Sequence, residues 1–298
     1  MTPISVYQVN AFTESPYAGN PAGVVLNGDQ LTDAQMLAIA KVMDFSETAF
    51  VLPPTEEGAN IRIRWFTPKE EVPICGHATI ASFFTLAQFH RYNMMKSGTY
   101  KFRLQTLSGI LPVIVKIAKK TTVYLGLPVP KFTPMKFKKK DVAAVLGVPP
   151  EACVFASTVP VDNSMYIEIS RLPLLLLMRP NFEKMKEFLV AKKVHGMCVY
   201  TRETVEPNSA FHSRFFAPTV GINEDPVTGS ANGPIGALCV INKKIKPTNG
   251  RRYLVGEQGD AIGRPGRVLV DIHTKRGAVT RLVIGGKAVV VSEQMIPV

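Results

Sequence analysis

One landmark of this chain returns at half its length. Arg64-Trp65-Phe66-Thr67-Pro68 recurs as Arg214-Phe215-Phe216-Ala217-Pro218, 150 residues on in a chain of 298. Ser108-Gly109 recurs at the same spacing as Gln258-Gly259, and between them Cys75-Gly76-His77 and Thr228-Gly229-Ser230 occupy matching places, displaced by three further residues. Landmarks repeated in order at one spacing are the signature of a repeated structural unit. Two pseudo-symmetric lobes are therefore expected, at 1–127 and 128–298, with the last strand returning to the first lobe. The Pro- and Lys-rich stretch from Pro128 to Lys140 suits a linker.

The pattern within each half agrees. Ile61, Ile63 and Trp65 alternate with Arg62 and Arg64 as a half-buried strand requires, and Phe211, Ser213 and Phe215 take the same places in the second half. Each strand then runs into a proline. His77 to Phe89 and Ser230 to Ile241 are apolar nearly all round, so they predict central helices near 77–89 and 230–241 that are sheathed by strands. Gly233, Pro234 and Gly236 weaken the second of these, although proline is tolerated at a helix start. An outer helix is signalled by a capping box, Thr32 with Gln35, and a staple between Leu31 and Met36. It ends before Ser46-Glu47-Thr48, and Asp141 to Leu146 predicts a short helix opening the second lobe. The fold class is α+β, each lobe a mixed sheet wrapped around a central helix.

Composition narrows the function classes. With 46% hydrophobic and 19% charged residues the chain has ample core material. No apolar run approaches the roughly 18 residues of a membrane span. The densest, Leu172 to Met178, contains Pro173 and reads as core or part of a subunit contact. The N-terminal stretch alternates like a strand and lacks a secretory signal, which points to the cytoplasm. Four scattered cysteines, Cys75, Cys153, Cys198 and Cys239, offer no zinc spacing and no disulfide framework, so no metal is expected. A net charge of +12 suits an anionic small substrate, an anionic surface or nucleic acid. Lys131 to Lys140 is the only nucleic-acid candidate, and no recognition motif accompanies it, so no nucleic-acid or membrane partner is expected.

Candidate chemistry gathers at the two helix starts. Helices beginning at Gly76 and Gly229 present backbone N–H groups that favour an anion, so a substrate carboxylate is the natural ligand. In a two-lobed chain both starts can face one cleft. His77, in the first turn of a buried helix, can donate to or accept from a substrate. Asp225 precedes the second helix, where it either caps that terminus or binds a polar substrate group. Glu47 lies among Phe45, Ala49 and Phe50, and a poorly solvated carboxylate is what a general base for C–H abstraction needs. An ordinary structural glutamate fits the same surroundings.

Four segments together carry a family resemblance: AFTESPYAGNPAGVV at 11–25, SETAFV at 46–51, RWFTPKEEVPICGHATIA at 64–81 and RFFAPTVGINEDPVTGSANG at 214–233. In this order, over essentially the whole chain, the sequence resembles the phenazine-biosynthesis PhzF-like family. The resemblance implies a diaminopimelate-epimerase-like fold with its site between two lobes. It implies no cofactor and, commonly, a homodimer. In the founding enzyme of the family, a glutamate moves a proton between carbons of trans-2,3-dihydro-3-hydroxyanthranilate. By motif that glutamate is matched by Glu47, the substrate-holding pair by His77 and Asp225, and the carboxylate-facing positions by Gly76, Gly229 and Ser230. Asn20 in GNPAG, Gln258 and Gly259 are further candidate ligand contacts by motif.

Racemases of the wider fold place one cysteine base before each helix-start glycine. Here Cys75 stands in one place and Thr228 in the other. A threonine hydroxyl is a poor base near neutral pH, so a one-base proton shift by Glu47 is expected rather than two-base racemisation. An epimerase or dehydratase using Cys75 is the first alternative, and an anion- or nucleic-acid-binding protein without catalysis is the second. The expected activity is that of a cofactor-independent isomerase of a small carboxylic acid.

Overall fold

A computed structural model describes residues 3–159 and 163–297. The chain divides into two compact units, one made of residues 1–126 with 285–298 and the other of 127–284.

In the first unit β1 (Pro3–Ala11), β2 (Asn20–Val25), α1 (Asp33–Met43), β3 (Thr48–Leu52), β4 (Ile61–Phe66), β5 (Glu71–Val72), α2 (Gly76–Gln88), β6 (Gly98–Thr106), β7 (Gly109–Ile117) and β8 (Thr121–Leu127) follow one another. The second runs through β9 (Thr133–Pro134), α3 (Lys139–Leu146), β10 (Cys153–Val159), β11 (Ser164–Ile169), α4 (Leu172–Leu177), α5 (Phe182–Lys192), β12 (Gly196–Thr201), β13 (Phe211–Ala217), β14 (Ile222–Asp225), α6 (Gly229–Ile241), β15 (Arg251–Gln258), β16 (Gly266–Lys275) and β17 (Ala278–Gly286). Then β18 (Ala288–Pro297) closes the first unit by pairing antiparallel with β1.

Strand orientations repeat between the units. β1 is antiparallel to β2, β2 parallel to β3, β3 antiparallel to β4, β4 parallel to β6 and β6 antiparallel to β7. β10, β11, β12, β13, β15 and β16 repeat that series. The register repeats as well: Arg62 faces Gln105 across the parallel pair as His212 faces Glu257. A short return strand pairs antiparallel in each, putting Val72 beside Trp65 and Asp225 beside Phe215.

The strands of each unit wrap around one helix. Of α2, only Phe84 and Gln88 are more than marginally exposed, and of α6 only Ser230 and Ile241. Such all-round burial is what the absence of a polar stripe predicts. The buried hydroxyls of Thr79, Ser82 and Thr85 are satisfied by donating to the carbonyls one turn earlier, Cys75, Ala78 and Ala81. Pro234 proves to be the sixth residue of α6 rather than part of its start, and the helix continues through it. Packing on every side holds a helix that propensity alone would not. Gly236 lets the sheet close on it, since a Cβ there would stand 3.0 Å from Val270 Cγ1.

The outer helices cover the opposite faces. α1 has its capping box at Thr32 and Gln35, and Met36, Ile39, Ala40 and Met43 pack with Val25, Phe50 and Phe66. α3 and α5 cover the second sheet through Val142, Leu146, Met185 and Leu189. The sequence-based linker is not structureless: β9 and the start of α3 lie inside it, and Met135 and Phe137 pack on the core. In the run from Leu172 to Met178, Leu175 and Met178 are core, while Leu177 is exposed. Among the described residues, no helix is long and apolar enough to cross a membrane.

Candidate functional site

In the first unit the extended backbone of Cys75 turns into α2, with Gly76 and His77 as its first residues and no side chain capping its N-terminus. Cys75 and His77 are both buried. The loop from α1 to β3 delivers the third group. Asp44 ends α1 in the left-handed region, and the Glu47 carbonyl accepts the Gly23 N–H as the chain enters β3. The Glu47 side chain is 17% exposed, so it keeps a route to a ligand while lying mostly within protein.

The His77 ring sits between these groups. Its Nδ1 lies 3.4 Å from Cys75 Sγ, and its Nε2 lies 3.4 Å from Glu47 Oε2 and 3.4 Å from Ser46 Oγ. A thiol, an imidazole and a carboxylate thus form a continuous path for a proton, with the ring able to donate from either nitrogen. One donor atom from each of Glu47, Cys75 and His77 falls within 4.8 Å of the others, a spacing that a metal ion could bridge. Asn20 is buried at the start of β2, opposite Ala11.

The second unit builds a different centre on the same plan. Thr228 takes the place of Cys75, Gly229 that of Gly76, Ser230 that of His77 and Asn232 that of Thr79. The Asn232 amide donates to the Thr228 carbonyl at 3.0 Å, as the Thr79 hydroxyl does to Cys75. The Thr228 hydroxyl donates to the Asp225 carboxylate. Gln258 holds this turn from β15: its Nε2 donates to the Asp225 carbonyl at 2.9 Å, and its Oε1 accepts from Thr228 N at 3.0 Å and from Asn232 Nδ2 at 2.8 Å. Gly259 is left-handed (φ +90), and a Cβ on it would meet the Arg264 carbonyl at 2.2 Å. In the site's own geometry, then, Gln258 and Gly259 shape the backbone around Asp225 and Thr228.

Several elements of these centres escaped the sequence. Ser46 was legible only as a neighbour of Glu47 within SETAF. Two bidentate ion pairs hold the return strands, Arg64 with Glu71 and Arg214 with Glu224, each arginine carried by the repeated landmark. By register the counterpart of Gln258 is Thr106 rather than Ser108, because the turn of the first unit is two residues longer before its glycine. A buried pair went unread altogether: His212 Nδ1 lies 2.8 Å from Glu257 Oε2, and both side chains are fully enclosed. Its signal was a histidine and a glutamate on adjacent parallel strands, visible only once the register is known.

Comparison with known proteins places this architecture. The sequence pattern of the phenazine biosynthesis-like protein family matches residues 9–294. The chain belongs to that family. An uncharacterized isomerase of Clostridium acetobutylicum is 34% identical over 96% of this chain and 96% of its own. The crystal structure of a PhzF-family phenazine biosynthesis protein from Bacillus anthracis is 29% identical, covers 100% of both chains and superposes with a TM-score of 0.89. A hydroxyproline epimerase of Agrobacterium vitis, 12% identical, covers 99% of this chain and 92% of its own with a TM-score of 0.63. That last likeness concerns the fold alone and makes it epimerase-like. By its relatives the chain is placed among isomerases.

Proposed function

We propose that this PhzF-family chain is a cofactor-independent isomerase that moves a proton between two carbons of a small carboxylic acid. Glu47 acts as general base and then as general acid. Its carboxylate takes a proton from an activated or allylic carbon, the electron pair shifts into the adjoining double bond, and the same carboxyl returns the proton at the far carbon. Atoms and charge balance with no other reactant. His77, 3.4 Å from the Glu47 carboxylate, orients it and supplies a hydrogen bond to the substrate. Gly76 at the start of α2 leaves backbone N–H groups for the substrate carboxylate. Asp225, with Thr228, Gly229 and Ser230, is assigned to substrate holding rather than proton transfer.

The asymmetry of the two helix starts carries this reading. A two-base racemase needs an acid and a base of comparable strength at both. Here one start has Cys75 and His77 beside Glu47, while the other has Thr228, whose hydroxyl is committed to Asp225, and Ser230. One proton carrier and no equivalent opposite number suit a shift along one face of the substrate. The Cys75–His77 contact supports a second reading, an epimerase or dehydratase in which the thiol is the base.

Proton NMR in deuterated water separates them. A panel of small cyclic and hydroxy acids, including the dihydrohydroxyanthranilate, is incubated with the wild type, Glu47→Gln and Cys75→Ala. Deuterium uptake or double-bond migration that disappears in Glu47→Gln supports the proposal. Exchange that survives Glu47→Gln and is lost in Cys75→Ala replaces it with the second reading.

A further inference from the structure

Cys75, His77 and Glu47 bring a sulfur, a nitrogen and an oxygen donor together beside the start of α2. Two come from the first turn of a buried helix and the third from the end of a loop pinned to β2. Bonds of roughly 2.0–2.3 Å in a tetrahedral zinc site separate neighbouring ligands by about 3.3–3.6 Å. Sγ lies 3.4 Å from Nδ1 and Oε2 lies 3.4 Å from Nε2, so each pair alone has that spacing through its own ring nitrogen, and one donor atom from each of the three residues lies within 4.8 Å of the others. One imidazole serves one ion through one nitrogen, so the thiol or the carboxylate must close in by about an ångström. Exposure of the Glu47 side chain at 17% leaves that freedom on one side.

Chemistry selects the ion. A thiolate and a carboxylate offset a divalent charge, and the sulfur and imidazole donors favour zinc, cobalt(II) or cadmium over magnesium and calcium. Three protein ligands leave a fourth position for water. With Nδ1 on the ion, the Glu47 carboxylate must swing away from Nε2 to join it, and the Nε2 hydrogen keeps Ser46 Oγ within reach at 3.4 Å as an outer partner. Among the described residues no equivalent set stands at the other helix start, where threonine and serine take the places of cysteine and histidine.

We infer that Glu47, Cys75 and His77 form a three-ligand site for a zinc-class divalent cation, and that its occupancy holds the centre inactive. Binding forms the metal–sulfur bond as the Cys75 thiol releases its proton to solvent. It also engages the Glu47 lone pair needed to abstract a proton, and this consequence rests on the function proposed above.

Cobalt(II) alone, titrated into the intact chain, reads the site without any substrate. One equivalent should produce a thiolate-to-cobalt charge-transfer band together with the intense visible bands of four-coordinate cobalt. Cys75→Ser should remove the charge-transfer band and weaken zinc binding, measured by calorimetry, by more than about 100-fold. Cys198→Ala is the matched control at a buried cysteine outside the cluster and should change neither. Circular dichroism and a thermal melt establish that each variant is folded, and Glu47→Gln, nearly isosteric, serves as the second ligand variant. A charge-transfer band that persists in Cys75→Ser, or saturation without such a band in the wild type, overturns the inference. In the deuterium-exchange assay, zinc should abolish exchange and a chelator restore it. Exchange that continues at full rate with the site saturated overturns the inactive state. Absence of exchange in metal-free protein defeats the proposed function instead, and the optical titration still decides the site.

Discussion

The two units share a strand plan and differ in the groups set upon it. At the helix start, the first has Cys75 and His77 where the second has Thr228 and Ser230. On the return strand, Val72 of the first corresponds to Asp225 of the second. Beneath these, a repeated scaffold bond has been made in two ways. In the first unit the Gln105 amide accepts the N–H groups of Thr55 and Glu56 at 2.7 and 3.2 Å. In the second, Glu257 accepts those of Val205 and Glu206 at 2.8 and 2.7 Å and adds the His212 ring. Duplication has therefore fixed backbone geometry while leaving side-chain chemistry free to diverge. Cys75, His77 and Glu47 collected at one helix start, and a fully buried His212–Glu257 pair collected in the other unit.

The largest test of this division is a swap of helix-start chemistry. His77→Ser makes the first unit resemble the second and should lower the proton-exchange rate by about 10²–10⁴-fold, the usual contribution of a positioned acid–base partner. Ser230→His alters the second unit and should create no exchange in a Glu47→Gln background, because the Asp225 carboxylate at that start is bonded to the Thr228 hydroxyl and is proposed to hold substrate rather than move protons. Deuterium uptake by NMR checks both. Equal losses from His77→Ser and from Ser230→Ala would mean that the two starts share the proton transfer.

The next contrast concerns stability. Burial pushes the Glu257 carboxyl up, but the hydrogen bonds from His212, Val205 and Glu206 outweigh it and hold the group at about 2 rather than 4.5. A carboxyl depressed in this way contributes stability above the unfolded value, on the order of 3 kcal/mol, and loses it as pH falls from about 4.5 toward about 2. Gln105 has no charge to lose. Hydrogen exchange between pH 5 and pH 3 should therefore show β13 and β15 losing protection before β4 and β6. Glu257→Gln should cost about 2–4 kcal/mol in denaturant melts and remove that pH dependence, since it takes a charged acceptor from a buried histidine. Gln105→Ala should cost less.

What the sequence conveyed follows from the range of each interaction. Local signals were readable: the Thr32–Gln35 box, the alternation at Ile61, Ile63 and Trp65, and the unbroken apolar surround of both central helices all lie within a turn or two. Motifs also named Glu47, Cys75 and His77, but not that one ring would touch the other two through opposite nitrogens. The contact depends on how the α1–β3 loop packs against the first turn of α2. Pairs set by strand register were opaque for the same reason. His212 and Glu257 are 45 residues apart and meet only because β13 and β15 are parallel neighbours in that one register. Pro234 misled in the other direction, since helix propensity is local and the packing that overrides it is not.

A smaller difference separates the glycines after the paired strands. Both are left-handed, Gly109 with φ +94 and Gly259 with φ +90, so an alanine is strained at either by about 1–2 kcal/mol. Only Gly259 is hemmed in, with carbonyls of Arg264 and Pro226 at 2.2 and 2.8 Å from a Cβ, whereas nothing lies within 4 Å at Gly109. Gly259→Ala should thus lose about 2 kcal/mol more than Gly109→Ala in parallel melts. It should also weaken substrate binding, because the backbone that must move carries Gln258 and, through it, Asp225 and Thr228. Equal costs would show that the second turn relaxes freely and that Gln258 is not held by it.

The smallest expected effect falls on Cys75, and it decides how the first unit uses its extra groups. If the thiol only neighbours His77, Cys75→Ser keeps a polar group at the same place and should change the exchange rate less than about tenfold, within the range of a lost weak hydrogen bond. If the thiol is the base, a hydroxyl cannot replace it near neutral pH and the loss should exceed about 10²-fold. Cys153 and Cys239 do not confuse the measurement. Burial pushes Cys239 up to about 12 and raises Cys153 as well, which keeps both as unreactive thiols at neutral pH. A Cys75→Ser enzyme that retains its rate, its melting behaviour and its dependence on Glu47 would assign proton transfer to the carboxylate alone. The thiol would then be the group that distinguishes metal binding from catalysis within a single cluster, since the same substitution removes one and spares the other.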